Sequence, residues 1–374
     1  MRRRILFILV AVAVLGITIA AVSVLKEKLH RNHEAQLASR YLTEFSSLEP
    51  IDVHTHIYRG SPDFSPMLDR LHMRVLNILY VDDTDRYLRS LDTERNDALN
   101  FVDSNTAHAR LCTTFDPFAV KDASSAKHAI AALNQDFARG AVAAKMWKNV
   151  GMEILDQSGN FVLPDDPRFE EIYRDLASQH KTLIIHAGDP DEAWGMQSPW
   201  GFVSKYYDSN PQWNMALKPG APKRKHILDA VDRVLVRHPD LRVIGAHFGS
   251  LEDHLDELAP RLDRHPNFAV DTAARVRRLV FQPSDKVRSF ILKYQDRILY
   301  GTDLHAFPSK PEEAAPSLWE RQYALDWRYF ATDDMFEYQG HKTQGLQLPP
   351  EVLKKIYHDN AVRWIPGLED RAAQ

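Results

Sequence analysis

From Ile51 onward the chain alternates short, β-rich apolar runs with stretches of helical periodicity, the order expected of repeated βαβ units around a parallel sheet. Eight runs stand out: Pro50 to Val53, Val75 to Val81, Ala109 to Thr113, Ala141 to Met146, Thr182 to Ile185, Arg242 to Ala246, Asn267 to Val270 and Arg297 to Tyr300. Helix signatures fill the spaces between them. In DDPRFEEIYRDLASQH, Asp165 or Asp166 can cap, Pro167 suits a first turn, and Phe169, Ile172, Tyr173 and Leu176 share one face. Ile227, Val231, Val234 and Leu235 line a second helix ending near His238-Pro239, and Leu251, Leu255, Leu258 and Leu262 line a third. This order predicts an α/β fold of the (β/α)8 TIM-barrel type, with a doubly wound open sheet as the alternative.

The N-terminus follows a different pattern. After MRRR, the stretch from Ile5 to Leu25 is an uncharged apolar run of 21 residues. At about 1.5 Å rise per residue it crosses a hydrocarbon core of roughly 30 Å, and it exceeds the ~7–15 residues of a secretory h-region. Residues 1–25 are therefore expected to be a membrane anchor, with the small pair Ala21 and Ser23 leaving signal cleavage, and so a secreted form, open. Arg2, Arg3 and Arg4 before the run, against Lys26, Lys28 and Arg31 after it, bias the N-terminus inward. The body is then expected outside the cytoplasm, periplasmic or extracellular. Residues 26–49 read either as a polar helical stalk or as a helix packed on the barrel, residues 50–367 as the barrel, and 368–374 as a tail.

Composition removes several function classes. With 47 basic and 51 acidic residues the net charge is −4, which offers no field to gather nucleic acid. The single cysteine, Cys112, excludes an internal disulfide and a cysteine-rich metal site. Histidine is the more informative resource. In such a barrel the chemistry sits where strands end, and here those ends are polar: DVHTH, AAKMW, LIIHAGD, VIGAHFG, FAVDTA and ILYGTD. Residues two apart in a strand point the same way, so His54 and His56 can share one cation. His186, His247 and Asp303 stand at matching positions on runs five, six and eight. Imidazoles beside a carboxylate form a ligand set for Zn2+, with Mn2+ admissible.

DVHTH on run one, His186, His247, YGTD on run eight and the closing IYHDNAVRWIPG together resemble the amidohydrolase superfamily. The resemblance is to its amidohydrolase-related branch, which includes aminocarboxymuconate-semialdehyde decarboxylase-like enzymes, and it spans roughly Ile51 to Gly367. It implies His54, His56, His186 and Asp303 as ligands of one divalent metal and His247 as a catalytic or second-metal histidine. Asp303, at the metal's edge, is the expected acid-base group for a metal-activated water. Alternatives are that Asp303 caps a following helix and that His247 orients another ligand.

Lys145, ending run four, is open to three readings: a carboxylated bridge between two metals, a substrate-binding ammonium, or a structural residue. The connection from His186 to Pro222 carries Trp194, Trp200, Tyr206, Tyr207 and Trp213 and is expected to wall the substrate site. Arg275 can bind a substrate carboxylate or pair with Asp271, and Arg277 and Arg278 are expected at the surface. The implied function is metal-dependent hydrolysis of a small polar amide, ester or lactone. Nonoxidative decarboxylation is the alternative, and a non-catalytic, membrane-tethered binding barrel a third reading. The partners expected are a small-molecule substrate and the membrane, with homo-oligomerisation left open.

Overall fold

The computed structural model describes residues 24–29, 32–58, 63–80, 90–307 and 310–368. The expected anchor lies outside the described residues except for Val24 and Leu25, as does the tail beyond Leu368. Among the described residues no helix is long and apolar enough to cross a membrane.

Each of the eight apolar runs becomes a strand: β1 Ile51–Ile57, β2 Arg74–Ile78, β3 Ala109–Thr114, β4 Ala143–Met146, β5 Thr182–Ile185, β6 Val243–Gly245, β7 Phe268–Asp271 and β8 Ile298–Leu299. All pair in parallel with their sequence neighbours. A ninth strand, β9 Leu304–Ala306, pairs with the other side of β1. The strand order is strictly sequential from β1 to β8, so the reversal that defines a doubly wound sheet is missing. The Val53 N–H donates to the Tyr300 carbonyl at 3.0 Å, bringing the segment after β8 against β1. The fold is a curled, TIM-barrel-like parallel sheet.

Strand alternation sorts side chains into two apolar layers. Ile51, Val53, Ile184, Ile244, Ala269 and Leu299 pack together inside the curl, closed at one end by Trp364, Ile365 and Leu368 of the C-terminal segment. Their strand neighbours Leu183, Ile185, Val243, Phe268 and Val270 face the helices instead. The helix foreseen after Asp166 forms as a short 3-10 turn, Pro167–Phe169, running into Glu170–Ser178, with the Asp166 carboxylate accepting from Arg168 N–H. The second forms as Arg224–Arg237 with its four expected apolar positions buried. The third begins later than its leucine spacing suggests, at Leu255. Residues 247–250 all have φ near +60°, and a left-handed stretch cannot feed a right-handed helix, so Leu251 packs from a turn.

Three elements beyond the repeats complete the body. The helix over 32–46 lies on the barrel, as in the second of its two readings. Phe45 stacks on Tyr323 with ring centroids 5.3 Å apart, and Tyr41 Oη donates to Asp334 at 2.7 Å. Tyr41 and Phe45, one turn apart and buried, together with the partly buried Leu37, Ala38 and Leu42, give this helix an apolar face against the core. Between β9 and the C-terminal segment come the helix Pro316–Ala331 and an antiparallel hairpin, β10 Met335–Tyr338 with β11 His341–Gln344, which the alternation pattern did not suggest.

Candidate active site

The register of β1 against β2 shifts between Asp52 and Thr55. Val53 packs inside the curl and Ile57, four residues on, outside it, so the shift inverts the alternation, as a β-bulge does. Beyond it His54 and His56 both turn into the mouth, their rings 5.3 Å apart. Gly301, opposite, is required by this approach: a Cβ there would lie 2.9 Å from the His54 Cβ.

Each of these imidazoles is oriented by a partner on Nδ1. His54 Nδ1 lies 2.8 Å from Asp271 Oδ2, and His56 Nδ1 lies 2.9 Å from the Ile78 carbonyl. Burial, and then Lys145, lower the His54 basicity, so neutral His54 donates through Nδ1 and leaves Nε2 unprotonated, facing Lys145 Nζ at 3.1 Å. Asp271 accepts in addition the His247 N–H at 2.7 Å and the Ala273 N–H at 3.1 Å. Burial alone would raise the Asp271 pKa, but His54 and these donors hold it below the usual range. Asp303 adopts φ +64° and donates its N–H to the His54 carbonyl at 2.8 Å. Its Oδ1 comes 3.3 Å from His56 Nε2 and 3.7 Å from His54 Nε2. A strand, β9, follows Asp303, so it caps no helix.

His186 and His247 leave their strands on irregular backbone. His247 has φ +58° and turns Nδ1 to the Ala273 carbonyl at 2.9 Å. Its ring centroid lies 4.3 Å from that of His186 and 4.8 Å from that of His54. His186 is held from the opposite nitrogen: Nε2 is 3.1 Å from Asp189 Oδ1, and buried Nδ1 has no hydrogen-bond partner among the described residues. Burial lowers its pKa to about 3, so it is neutral. Asp189 Oδ2 accepts from Lys148 Nζ at 2.6 Å. Burial works against its ionisation, but Lys148 outweighs this and holds the carboxylate far below the usual range.

Two groups of three donors come within metal-binding reach among the described residues: His54, His56 and Asp303, and His54, His247 and Asp271. The first contains three of the four ligands expected from the sequence. The fourth, His186, falls in neither group and faces His247. A divalent cation nevertheless fits the chemistry of this mouth, because buried donors converge there and His186 Nδ1 is a buried nitrogen with nothing to bind. Lys145 does not line the cavity. Its fully buried Nζ sits 3.1 Å from His54 Nε2, and burial lowers its pKa to about 8. Burial also pushes Cys112 up to about 12, leaving no reactive thiol nearby.

Above these groups opens a cavity of about 170 Å³, comparable to the ~150 Å³ that holds a benzene ring. The connection after His186 walls it, as expected, through Tyr206, Tyr207 and Trp213. Trp194 and Trp200 stand outside the wall: their indole N–H groups donate to the carbonyls of Pro222 and Asp253 and pin the connection down. Arg275 reaches the cavity, but its partner is Glu252 at 3.1 Å rather than Asp271. Arg278 is buried, contrary to its expected surface position, because Glu192, Glu252 and Asp253 surround it. Arg277, by contrast, is exposed at the cavity rim. Sequence reading missed Lys148, Asp189 and His305. A signal existed for two of them, since Asp189 follows His186 by three residues and His305 follows Asp303 by two. His305 stacks on His56 at 5.2 Å.

Sequential parallel strands, with imidazoles and carboxylates gathered at their C-terminal ends, define a TIM-barrel-like enzyme. The chain belongs to the Amidohydrolase family, whose profile matches residues 51–366. It is an enzyme of the amidohydrolase superfamily, as the residues that carried the resemblance implied. No curated protein matches it. Among solved structures it is similar to an uncharacterised TIM-barrel protein from Bordetella bronchiseptica, at 15% identity over 84% of this chain and 97% of that one, with a TM-score of 0.49. It is also similar to 2,6-dihydroxybenzoate decarboxylase from Rhizobium, at 15% identity over 84% and 98% with a TM-score of 0.47. A third is a probable 2-pyrone-4,6-dicarboxylic acid hydrolase from Acinetobacter baumannii, at 12% identity over 84% and 98% with a TM-score of 0.47.

Proposed function

We propose that this enzyme is a metal-dependent hydrolase of a small polar amide, ester or lactone. In this reading His54, His56, His186 and Asp303 hold one divalent ion, Zn2+ by preference over Mn2+. The observation that carries it is the convergence of His54, His56 and Asp303 donor atoms within 4.8 Å of one another at the barrel mouth. A cation bound there would polarise the substrate carbonyl and lower a water's pKa toward about 7. Asp303, ionised and half-buried at the cavity floor, accepts the proton of the attacking water and returns it to the leaving group. His247 commits Nδ1–H to the Ala273 carbonyl, so its neutral ring presents a bare Nε2. That favours proton acceptance over donation to an oxyanion. Tyr206, Tyr207 and Trp213 exclude water and hold a flat substrate against the mouth.

Nonoxidative decarboxylation is the second reading, and the cavity rim favours it: exposed Arg277 lines the opening and suits a substrate carboxylate, whereas Lys148 is already paired with Asp189. There the carbon–carboxylate bond breaks, CO2 leaves, and a proton reaches the vacated carbon. Metal content per chain, by elemental analysis of protein purified without chelator, tests the shared premise. One equivalent is expected, with His54→Ala and Asp303→Ala folded but metal-free; unchanged metal in both variants would sink the reading. Two equivalents would bring Lys145 in as a carboxylated bridge. Oxygen-18 uptake from labelled water into product, against CO2 release, separates the two reactions. The run Ile5 to Leu25 supports a tether with the body outside the cytoplasm. Full-length protein should then stay with membranes through an alkaline wash, and recovery of a shortened soluble chain would argue for cleavage.

A further inference from the structure

The four imidazoles expected from the sequence, His54, His56, His186 and His247, are not oriented alike. His54, His56 and His247 each engage Nδ1, with Asp271, the Ile78 carbonyl and the Ala273 carbonyl respectively. His186 alone engages Nε2, with Asp189 Oδ1 at 3.1 Å. Its Nδ1 is therefore the nitrogen left to face the site, buried and without a hydrogen-bond partner among the described residues. No backbone carbonyl takes the place of Asp189 on Nε2. Asp189 is itself only 2% exposed and is anchored through its second oxygen by Lys148 Nζ at 2.6 Å. Lys148 is boxed by aromatic rings of the covering connection, with Nζ 4.5 Å from the Trp213 ring centroid and 5.2 Å from that of Tyr206. A contiguous chain of contacts thus runs from the cavity wall through Lys148 and Asp189 to His186.

We propose that Asp189 and Lys148 are positioning residues that fix the ring orientation of His186 and so present its Nδ1 to the metal. This rests on the metal reading above, and gives His186 a place in the ligand set although it lies outside the three-donor groups. A carboxylate accepting from the far nitrogen of a ligating imidazole sets its tautomer and raises its donor strength, and its loss typically weakens metal affinity about 10–100-fold. Lys148 acts one step further out, by holding the carboxylate, and its effect is smaller in the same direction.

The test uses the full chain, freed of metal by chelator dialysis and titrated with Zn2+ against a chromophoric competitor, then with Co2+ for its visible absorption spectrum. Asp189→Ala should weaken Zn2+ binding about 10–100-fold and alter the Co2+ spectrum, and, because it leaves buried Lys148 without its counter-charge, it should also lower the unfolding midpoint of the metal-free chain. Asp189→Asn retains the shape and an acceptor oxygen, so it should fall between wild type and Asp189→Ala, and it serves as the reporter if the alanine variant does not fold. Lys148→Met should weaken binding less than Asp189→Ala. Wild-type affinity and spectrum in both Asp189 variants would overturn the proposal while leaving the metal reading intact. A wild-type protein that binds neither Zn2+ nor Co2+ would overturn both.

Discussion

The two sides of the barrel mouth hold their imidazoles by different means. On the β1 and β9 side, His54 and His56 stand on a continuous strand, and Asp303 is tied to that strand by a backbone hydrogen bond. On the β5 and β6 side, His186 and His247 stand just past the strand ends, with His247 inside a left-handed run from residue 247 to residue 250. The first side is positioned by the sheet and one bulge. The backbone of the second is set off the sheet, with the Asp271 carboxylate accepting the His247 N–H and Asp189 holding the His186 ring, under the connection that covers the cavity; Asp271 also orients the His54 ring, so it joins the two sides. Strand backbone leaves little freedom to a side chain, whereas an irregular segment takes its geometry from whatever it is bonded to.

The largest expected contrast is in metal binding. His54 contributes to both donor groups, so His54→Ala should abolish metal retention, whereas His186→Ala should leave weakened but measurable binding in a Zn2+ competition titration. Equal loss in both variants would erase the distinction between the two sides.

Next in size is a pH effect beneath the β1 and β9 side. Asp326 is fully buried, accepting from Tyr300 Oη at 2.9 Å and Tyr338 Oη at 2.6 Å, and burial raises its pKa from 3.8 to about 6. The folded state keeps a proton that the unfolded chain gives up, so stability is greatest below about pH 4 for this group and falls as pH rises toward 6. About two pKa units correspond to about 3 kcal/mol. Urea unfolding of metal-free protein at pH 4 and pH 7 should show Asp326→Asn losing less stability across that window than wild type. Parallel losses would remove Asp326 as the cause.

Gly301→Ala comes third. Its Cβ would meet the His54 Cβ at 2.9 Å, and overpacking of this kind costs about 1–3 kcal/mol. Thermal unfolding should report the loss, with metal affinity falling alongside it; an unperturbed variant would mean that β1 and the Gly301 segment are not held at this separation.

The smallest effect probes the left-handed side. Ser250 has φ +58°, and its hydroxyl donates to the Gly188 carbonyl at 3.0 Å. Ser250→Ala should cost about 1 kcal/mol through the lost hydrogen bond. Ser250→Gly loses the same bond but relieves the backbone, worth about 1 kcal/mol, and should unfold close to wild type in denaturant. If glycine were as damaging as alanine, the left-handed run would carry no strain at that position.

What the sequence determined is the part governed by local periodicity. Apolar runs bounded by polar ends became eight parallel strands in order, and the residues that end them, His54, His56, His186, His247 and Asp303, gathered at one mouth, with Lys145 buried behind His54, because parallel strands in a curled sheet place their C-terminal ends together. The packing of the helix over 32–46, the bulge in β1, the left-handed run after β6, the burial of Arg278 and the choice of Glu252 as the Arg275 partner were decided by tertiary structure. Each depends on groups distant in sequence meeting in space: Phe45 with Tyr323, His54 with Asp271, Arg278 with Glu192. Periodicity specifies which way a side chain points along its own element, but a buried charge or a bare ring nitrogen takes its partner from another element, and only the folded chain brings the two together.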